Sequence, residues 1–297
     1  LQPLVRRAGE GTWVIGMKSS AGAASCRRTI SDEGDRVSRA AGRPAAAARS
    51  GYNRRRGHAT TMSIELYWGS GSAYCWRVQL ALAYKRLPYT SHLLKFDQQE
   101  HKAPQMLAMN PRGRLPVLRD GDYVCFESLA ILYYLDRKYP DPPIFGRTPE
   151  EAAVIMRVVC EYQAYGEPSL MKIVADLLYG HGAALSEDTA EAMHGVASEA
   201  RTIERRMAQG DWVVGDMPSA ADFVIYPDIR LLLRALERPT ARELAARFLP
   251  LEVNYPALAG WLGRMTRLPG HDATWPPHWG EPPAHSAGMA QGPAVGS

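Results

Sequence analysis

Apolar residues show scarcely any period up to residue 61, but from Ser63 they fall into short regular blocks. Ile64–Trp68 is an apolar run that stops at a loop of small residues, Gly69-Ser70-Gly71-Ser72, and predicts a strand. Cys75–Lys85 predicts a helix, Thr90–Phe96 a second strand and Pro104–Met109 a short helix. Pro116–Leu118 and Tyr123–Phe126 flank Asp120-Gly121, a dipeptide favoured in tight primed turns, and so predict a hairpin. Ser128 then stands as the N-cap of a helix whose positions Leu129, Leu132, Tyr133 and Leu135 form an inward stripe. The resulting order is βαβ-α-ββα.

The segment Tyr139-Pro140-Asp141-Pro142-Pro143, followed by Gly146-Arg147-Thr148-Pro149, cannot continue a helix and reads as a linker over 140–149. Beyond it the spacing is helical. Val154, Val158, Tyr162 and Tyr165 share one face, as do Met193, Ala197, Ala200, Ile203 and Met207, and Pro168 should kink or end the first of these helices. Ser219-Ala220-Ala221-Asp222 opens another helix with an acidic capping box, a structural device. A last helix follows Tyr255-Pro256, and Trp275 and Trp279 stand ready either to close a pocket or to anchor the tail.

Composition changes this picture mainly at the ends. Residues 1–61 carry twelve Lys/Arg against four Asp/Glu, which leaves 23 basic against 27 acidic residues in 62–297, although the whole chain is formally +4. The leader, rich in Arg, Ala, Gly and Ser, reads as disordered, with Met62 as the natural start, and the tail over 280–297 reads as loose. The remainder divides into 62–139, the 140–149 linker and a helical 150–279. A mildly acidic body speaks against a nucleic-acid partner. No run reaches the roughly 18 apolar residues of a membrane span. Cys26, Cys75, Cys125 and Cys160 form no C-x-x-C pair or metal-ligand pattern, which points to a reducing, cytoplasmic setting and no metal.

The chemistry concentrates at the first strand-loop-helix turn. Free backbone N–H groups and the partial positive charge of a helix N-terminus meet there, so the loop can hold an anion. Ser72 sits where that field is strongest, and Cys75 follows three residues on. Ser72-Ala73-Tyr74-Cys75-Trp76-Arg77-Val78 resembles the soluble glutathione S-transferases, the bacterial ones among them, and is closest to the zeta-like wording Ser-x-x-x-Trp-Arg-Val. That resemblance implies an N-terminal thioredoxin-like domain followed by an all-helical one. It also implies a glutathione co-substrate, a hydrophobic electrophile and a homodimer.

Carried onto this sequence, the resemblance makes Ser72 the residue that stabilises the glutathione thiolate. It places a cis bond at Leu115-Pro116, which presents the Leu115 backbone to the tripeptide, and puts Glu127 and Ser128 at the γ-glutamyl end. His101 and Lys102 fall where the glycine carboxylate would be met. Cys75 and Tyr74 form a possible secondary site. Tyr162, Tyr165 and Tyr179 would make an apolar pocket if they faced the Ser72 loop. Besides general transfer to an electrophile, three readings stay open: a thiol oxidoreductase or peroxidase using Cys75, a maleylacetoacetate-isomerase-type activity, and a non-catalytic carrier of lipophiles.

Overall fold

The computed structural model describes residues 64–180 and 187–280, together with the backbone of two strands, β1 (Leu4–Arg7) and β2 (Trp13–Gly16). These two pair antiparallel, Leu4 opposite Gly16, within a unit that spans Leu1–Gly57. The rest of the leader and the tail beyond Gly280, both read above as lacking order, lie outside the described residues.

The second unit carries a four-stranded mixed sheet in the order β4-β3-β5-β6, built from β3 (Ile64–Trp68), β4 (Thr90–Leu93), β5 (Val117–Asp120) and β6 (Tyr123–Phe126). β3 runs parallel to β4 and antiparallel to β5, with Leu66 opposite Leu118. Asp120 pairs with Tyr123 across the predicted hairpin turn, and Gly121 adopts the positive φ (62°) that such a turn demands. Helices α1 (Ala73–Tyr84), α2 (Pro104–Met109) and α3 (Ser128–Lys138) complete a thioredoxin-like domain.

Alternation in β3 buries Ile64, Leu66 and Trp68 against Cys75, Val78 and Leu82 of α1 and against Ile131 and Leu135 of α3. The opposite side of α1, with Trp76, Leu80 and Ala81, enters the core of the helical domain. One helix thus serves two cores, which is why it is apolar on nearly every side. Burial of each such side chain contributes about 1.5–3 kcal/mol.

The helical domain comprises α4 (Pro149–Tyr165), α5 (Glu167–Val174), α6 (Glu187–Met207), α7 (Ala220–Leu236), α8 (Arg242–Phe248), α9 (Leu251–Asn254) and α10 (Pro256–Thr266). Helix α4 ends at Tyr165, three residues before Pro168, as the sequence leads one to expect. Gly166 is its C-cap, and the proline occupies the first turn of α5, where a missing N–H costs nothing. Asp222 is fully buried and accepts from the Ser219 backbone and hydroxyl, the Val213 N–H and the Trp261 indole. The box that reads as a helix cap is also the knot tying α7 to α10. The linker is fastened by Lys85, whose ammonium donates to Asp136, to the Tyr139 carbonyl and to the Pro142 carbonyl.

Three local expectations are corrected. The inward stripe of α3 uses Ile131, Leu132 and Leu135, whereas Tyr133 is 52% exposed. On α4 the inward residues are Ile155, Val158, Val159 and Tyr162, with Val154 and Tyr165 facing out. On α6 Val196 is buried and Ala197 only half-buried.

Candidate active site

Ser72 is the N-cap of α1, its backbone extended (φ −78°, ψ 114°) and its Oγ accepting from the Cys75 N–H at 3.3 Å. A capping hydroxyl that accepts from the helix keeps its own proton free for a further acceptor. Ser72 lines a cavity of about 820 Å³ together with Tyr74, Phe96, His101, Lys102, Asn110, Arg112, Gly113, Arg114, Leu115, Pro116, Glu127 and Ser128. Of the residues singled out for glutathione, the cavity brings together Ser72, His101, Lys102, Leu115, Pro116, Glu127 and Ser128, with Tyr74 beside them, and leaves out Cys75.

Leu115-Pro116 is cis. Leu115 lies just outside the β3–β5 ladder, whose register reaches only Tyr67 opposite Val117. The loop before it is fixed by Asn110, which is buried, donates to the Arg114 carbonyl and accepts from the Arg112 N–H. That brace sends Arg112 and Arg114 to the cavity rim, two cations that the sequence reading passed over. Their flanking of Gly113 was the available signal.

Ser128 is not the cap of α3. It is the first helical residue and is buried, and the cap is Glu127, held at φ 68°, ψ 113°. A non-glycine residue in that region carries a strain of about 1–3 kcal/mol, a cost found most often at working sites. The geometry aims the Glu127 carboxylate and the α3 N-terminus at the same space.

His101 packs edge-on against Phe96 at 5.2 Å. Burial, then Lys102 and Arg114, lower its pKa, so the imidazole is neutral at pH 7. Lys102, Arg112 and Arg114 thus face one carboxylate, Glu127.

Cys75 is fully buried, with its sulfur accepting from the Gly69 N–H at 3.4 Å. Burial outweighs the Ser72 and Gly69 hydrogen bonds and pushes its thiol up to about 11. It lies under the loop and does not line the cavity. Tyr74 does line it, with the Arg77 guanidinium 4.5 Å from its ring centre. Burial, then the hydrogen bond to Glu167, raise the Tyr74 pKa, so the phenol stays protonated.

The three tyrosines considered for an apolar wall do not gather there. Tyr162 is core, whereas Tyr165 and Tyr179 are 73% and 64% exposed, and none lines the cavity. Trp275 and Trp279 anchor rather than close. Both pack edge-on against Trp76, at 5.3 and 5.5 Å, which holds the 275–279 segment on α1. Among the described residues no cluster of three His, Cys, Asp or Glu side chains is placed to hold a metal ion.

Two family models match this layout: the glutathione S-transferase N-terminal domain over residues 66–143 and the C-terminal domain over residues 189–264. The chain is 30% identical over 235 residues to glutathione S-transferase A of Pleuronectes platessa, covering 74% of this chain and 94% of that protein. The chain belongs to the glutathione S-transferase family.

Within that family the chain is also similar to maleylacetoacetate isomerase of Pseudomonas aeruginosa, 31% identical over 177 residues, or 57% of this chain and 80% of that one. Among solved structures it is similar to a glutathione S-transferase from the Antarctic clam Laternula elliptica, with a TM-score of 0.62 and 28% identity, covering 74% of this chain and 95% of that one. The cavity lies in the glutathione S-transferase N-terminal region, and its walls are the β3–α1 loop, the segment before β5 and the start of α3.

Proposed function

We propose that this glutathione transferase binds glutathione in the cavity beside Ser72, lowers the pKa of its thiol and presents the thiolate to a small hydrophobic electrophile. The observation that carries the reading is the charge around the cavity: Lys102, Arg112 and Arg114 against Glu127, a net +2 next to a helix N-terminus. Glutathione with its thiol ionised has two carboxylates, one ammonium and one thiolate, a net −2. The site matches the ionised form better than the neutral thiol.

In this arrangement Glu127 takes the α-ammonium, Ser128 and the α3 N-terminus take the α-carboxylate, and Leu115 pairs with the peptide backbone. Lys102 and the arginines of the rim hold the glycine end, with His101 as a neutral partner. The Ser72 hydroxyl donates to sulfur. A free thiol has a pKa of about 8.5. A charge-assisted hydrogen bond contributes about 1.5–3 kcal/mol and a helix N-terminus about 0.3–1. Together they lower the pKa by about 1.5–3 units, enough to make thiolate the main form at neutral pH.

Retention on immobilised glutathione, followed by a panel of electrophiles and hydroperoxides, tests the reading. Failure to bind would replace it with a lipophile carrier. A second reading, isomerisation of the maleylacetoacetate type, is supported by the Trp76-Arg77-Val78 match and by the Pseudomonas relative, and an isomerase assay decides it. The chain works as a cytoplasmic homodimer in this proposal. Exposed Tyr133 on α3 and Val154 on α4 supply apolar surface for a partner. Sedimentation of residues 62–297 as a monomer at micromolar concentration would count against the dimer.

A further inference from the structure

We propose that His278, 206 residues beyond Ser72, is a positioning residue of the active site, holding the Gly69–Ser72 loop through Ser70. The inference rests on the reading of Ser72 given above. His278 Nδ1 lies 2.6 Å from Ser70 Oγ. Either neutral tautomer can make this bond, because a hydroxyl both donates and accepts. Burial, then Arg234, keep the His278 pKa below its ordinary value, so the ring is neutral at working pH.

The loop needs a tether. Two of its four residues are glycines, and Gly71 adopts φ +80°. Glycine leaves the backbone freer than any other residue. Ser72 is tied to α1 by the Cys75 N–H on its hydroxyl at 3.3 Å and the Trp76 N–H on its carbonyl at 3.0 Å, and the rest of the loop by Ser72 N–H to the Gly69 carbonyl at 3.3 Å and Gly69 N–H to the Cys75 sulfur at 3.4 Å. Both loop glycines are pressed by side chains from elsewhere. A Cβ on Gly69 would meet the Phe96 ring at 2.1 Å, and one on Gly71 would meet His278 Cε1 at 2.7 Å and Trp279 Nε1 at 3.5 Å.

The post that holds the tether is rigid. Trp76 donates to Thr274 Oγ1 at 2.8 Å, and the Trp76, Trp275 and Trp279 rings pack mutually edge-on within 5.6 Å. Arg230 lies over Trp275 and Arg234 over Trp279, which fixes the 275–279 segment from the α7 side. His278 therefore projects from a braced turn onto a pliable loop, and the Ser72 hydroxyl is held where the thiolate forms.

The test compares wild type, Ser72→Ala, Ser70→Ala, His278→Ala and His278→Asn for conjugation across pH and glutathione concentration. His278→Ala should lower kcat about five- to tenfold, the weight of one neutral hydrogen bond. KM for glutathione should stay within about twofold, since the tripeptide contacts are intact, and the thiol limb of the pH profile should move upward. Ser70→Ala should reproduce these changes, combining Ser70→Ala with His278→Ala should add nothing further, and His278→Asn should recover most of the rate. If Ser72→Ala abolishes conjugation while His278→Ala leaves kcat and the pH profile unchanged, the positioning role is overturned and the reading of Ser72 stands. An Asn variant no better than Ala, with both merely less stable, also overturns it. If Ser72→Ala itself is without effect, the reading on which this rests has failed.

Discussion

Arg77 Nη2 lies 2.6 Å from Asp228 Oδ2, joining α1 of the thioredoxin-like domain to α7 of the helical one inside a core where neither side chain is exposed. The same nitrogen reaches Glu167 on α5 at 3.1 Å, and Tyr162 donates to the same Asp228 oxygen at 3.0 Å. Burial pushes the Asp228 carboxyl up to about 6 against the pull of Arg77. The cluster ends at Tyr74, whose ring covers the guanidinium and lines the cavity. The join between domains and the wall of the site are therefore one set of residues.

Removing the cation alone should strand two carboxylates. Arg77→Met is expected to cost about 3–5 kcal/mol in chemical denaturation. Adding Asp228→Asn should return a substantial part of that loss, because the two residues are coupled. Strictly additive losses would show that the pair is not an energetic unit.

Ser72→Ala should cut conjugation at pH 6.5 by roughly 10–100-fold, the equivalent of about 1.5–3 kcal/mol. Glutathione affinity should survive, since in the proposed complex Leu115, Glu127 and Ser128 hold the rest of the tripeptide. Steady-state kinetics paired with calorimetric titration separates the two quantities.

Cys75→Ala should cost little in conjugation. With its thiol pushed up to about 11, roughly 3 in 10⁴ molecules carry a thiolate at pH 7.5, so among Cys75, Cys125 and Cys160 alkylation of the folded protein should begin at the exposed Cys160. The unfolded chain releases the Cys75 proton first, so stability should fall as pH rises from about 9 to 11, by about 2 kcal/mol over the window. Loss of activity in Cys75→Ala with activity retained in Ser72→Ala would reverse the two roles.

Asp222→Ala leaves the Ser219 amide and hydroxyl, the Val213 amide and the Trp261 indole without their acceptor. A loss of at least about 4 kcal/mol is expected from four buried donors left unpaired. The effect should appear in the denaturation midpoint, while glutathione affinity of the protein that remains folded stays near wild type.

What could be read from the residues was local. Asp120-Gly121 specifies its hairpin within four residues, and Ser219-Ala220-Ala221-Asp222 specifies its cap. The positive φ of Glu127 was invisible, because nothing in a glutamate announces it, and the cap of α3 was placed one residue late. Arg77 lies in an apolar helix whose pattern gives no hint that its partners stand 90 and 151 residues away. The Ser70–His278 bond closes over a separation of 208 residues. Arg112 and Arg114 look like surface charges until Asn110 is seen to turn their loop inward. In each case a distant or backbone-level cause decided a side chain's place.

The left-handed twist of the chain at Glu127 sets two selective pressures against each other. Glycine, with no Cβ to clash, would take up φ 68° with less strain, so breeding this enzyme for heat resistance alone should drift toward glycine at that position. The carboxylate that meets the ligand's ammonium in the proposed complex would go with it. A lineage that keeps the acid is retaining a weaker fold for the sake of its substrate, and thermostable descendants that lost it should be sought among carriers rather than catalysts.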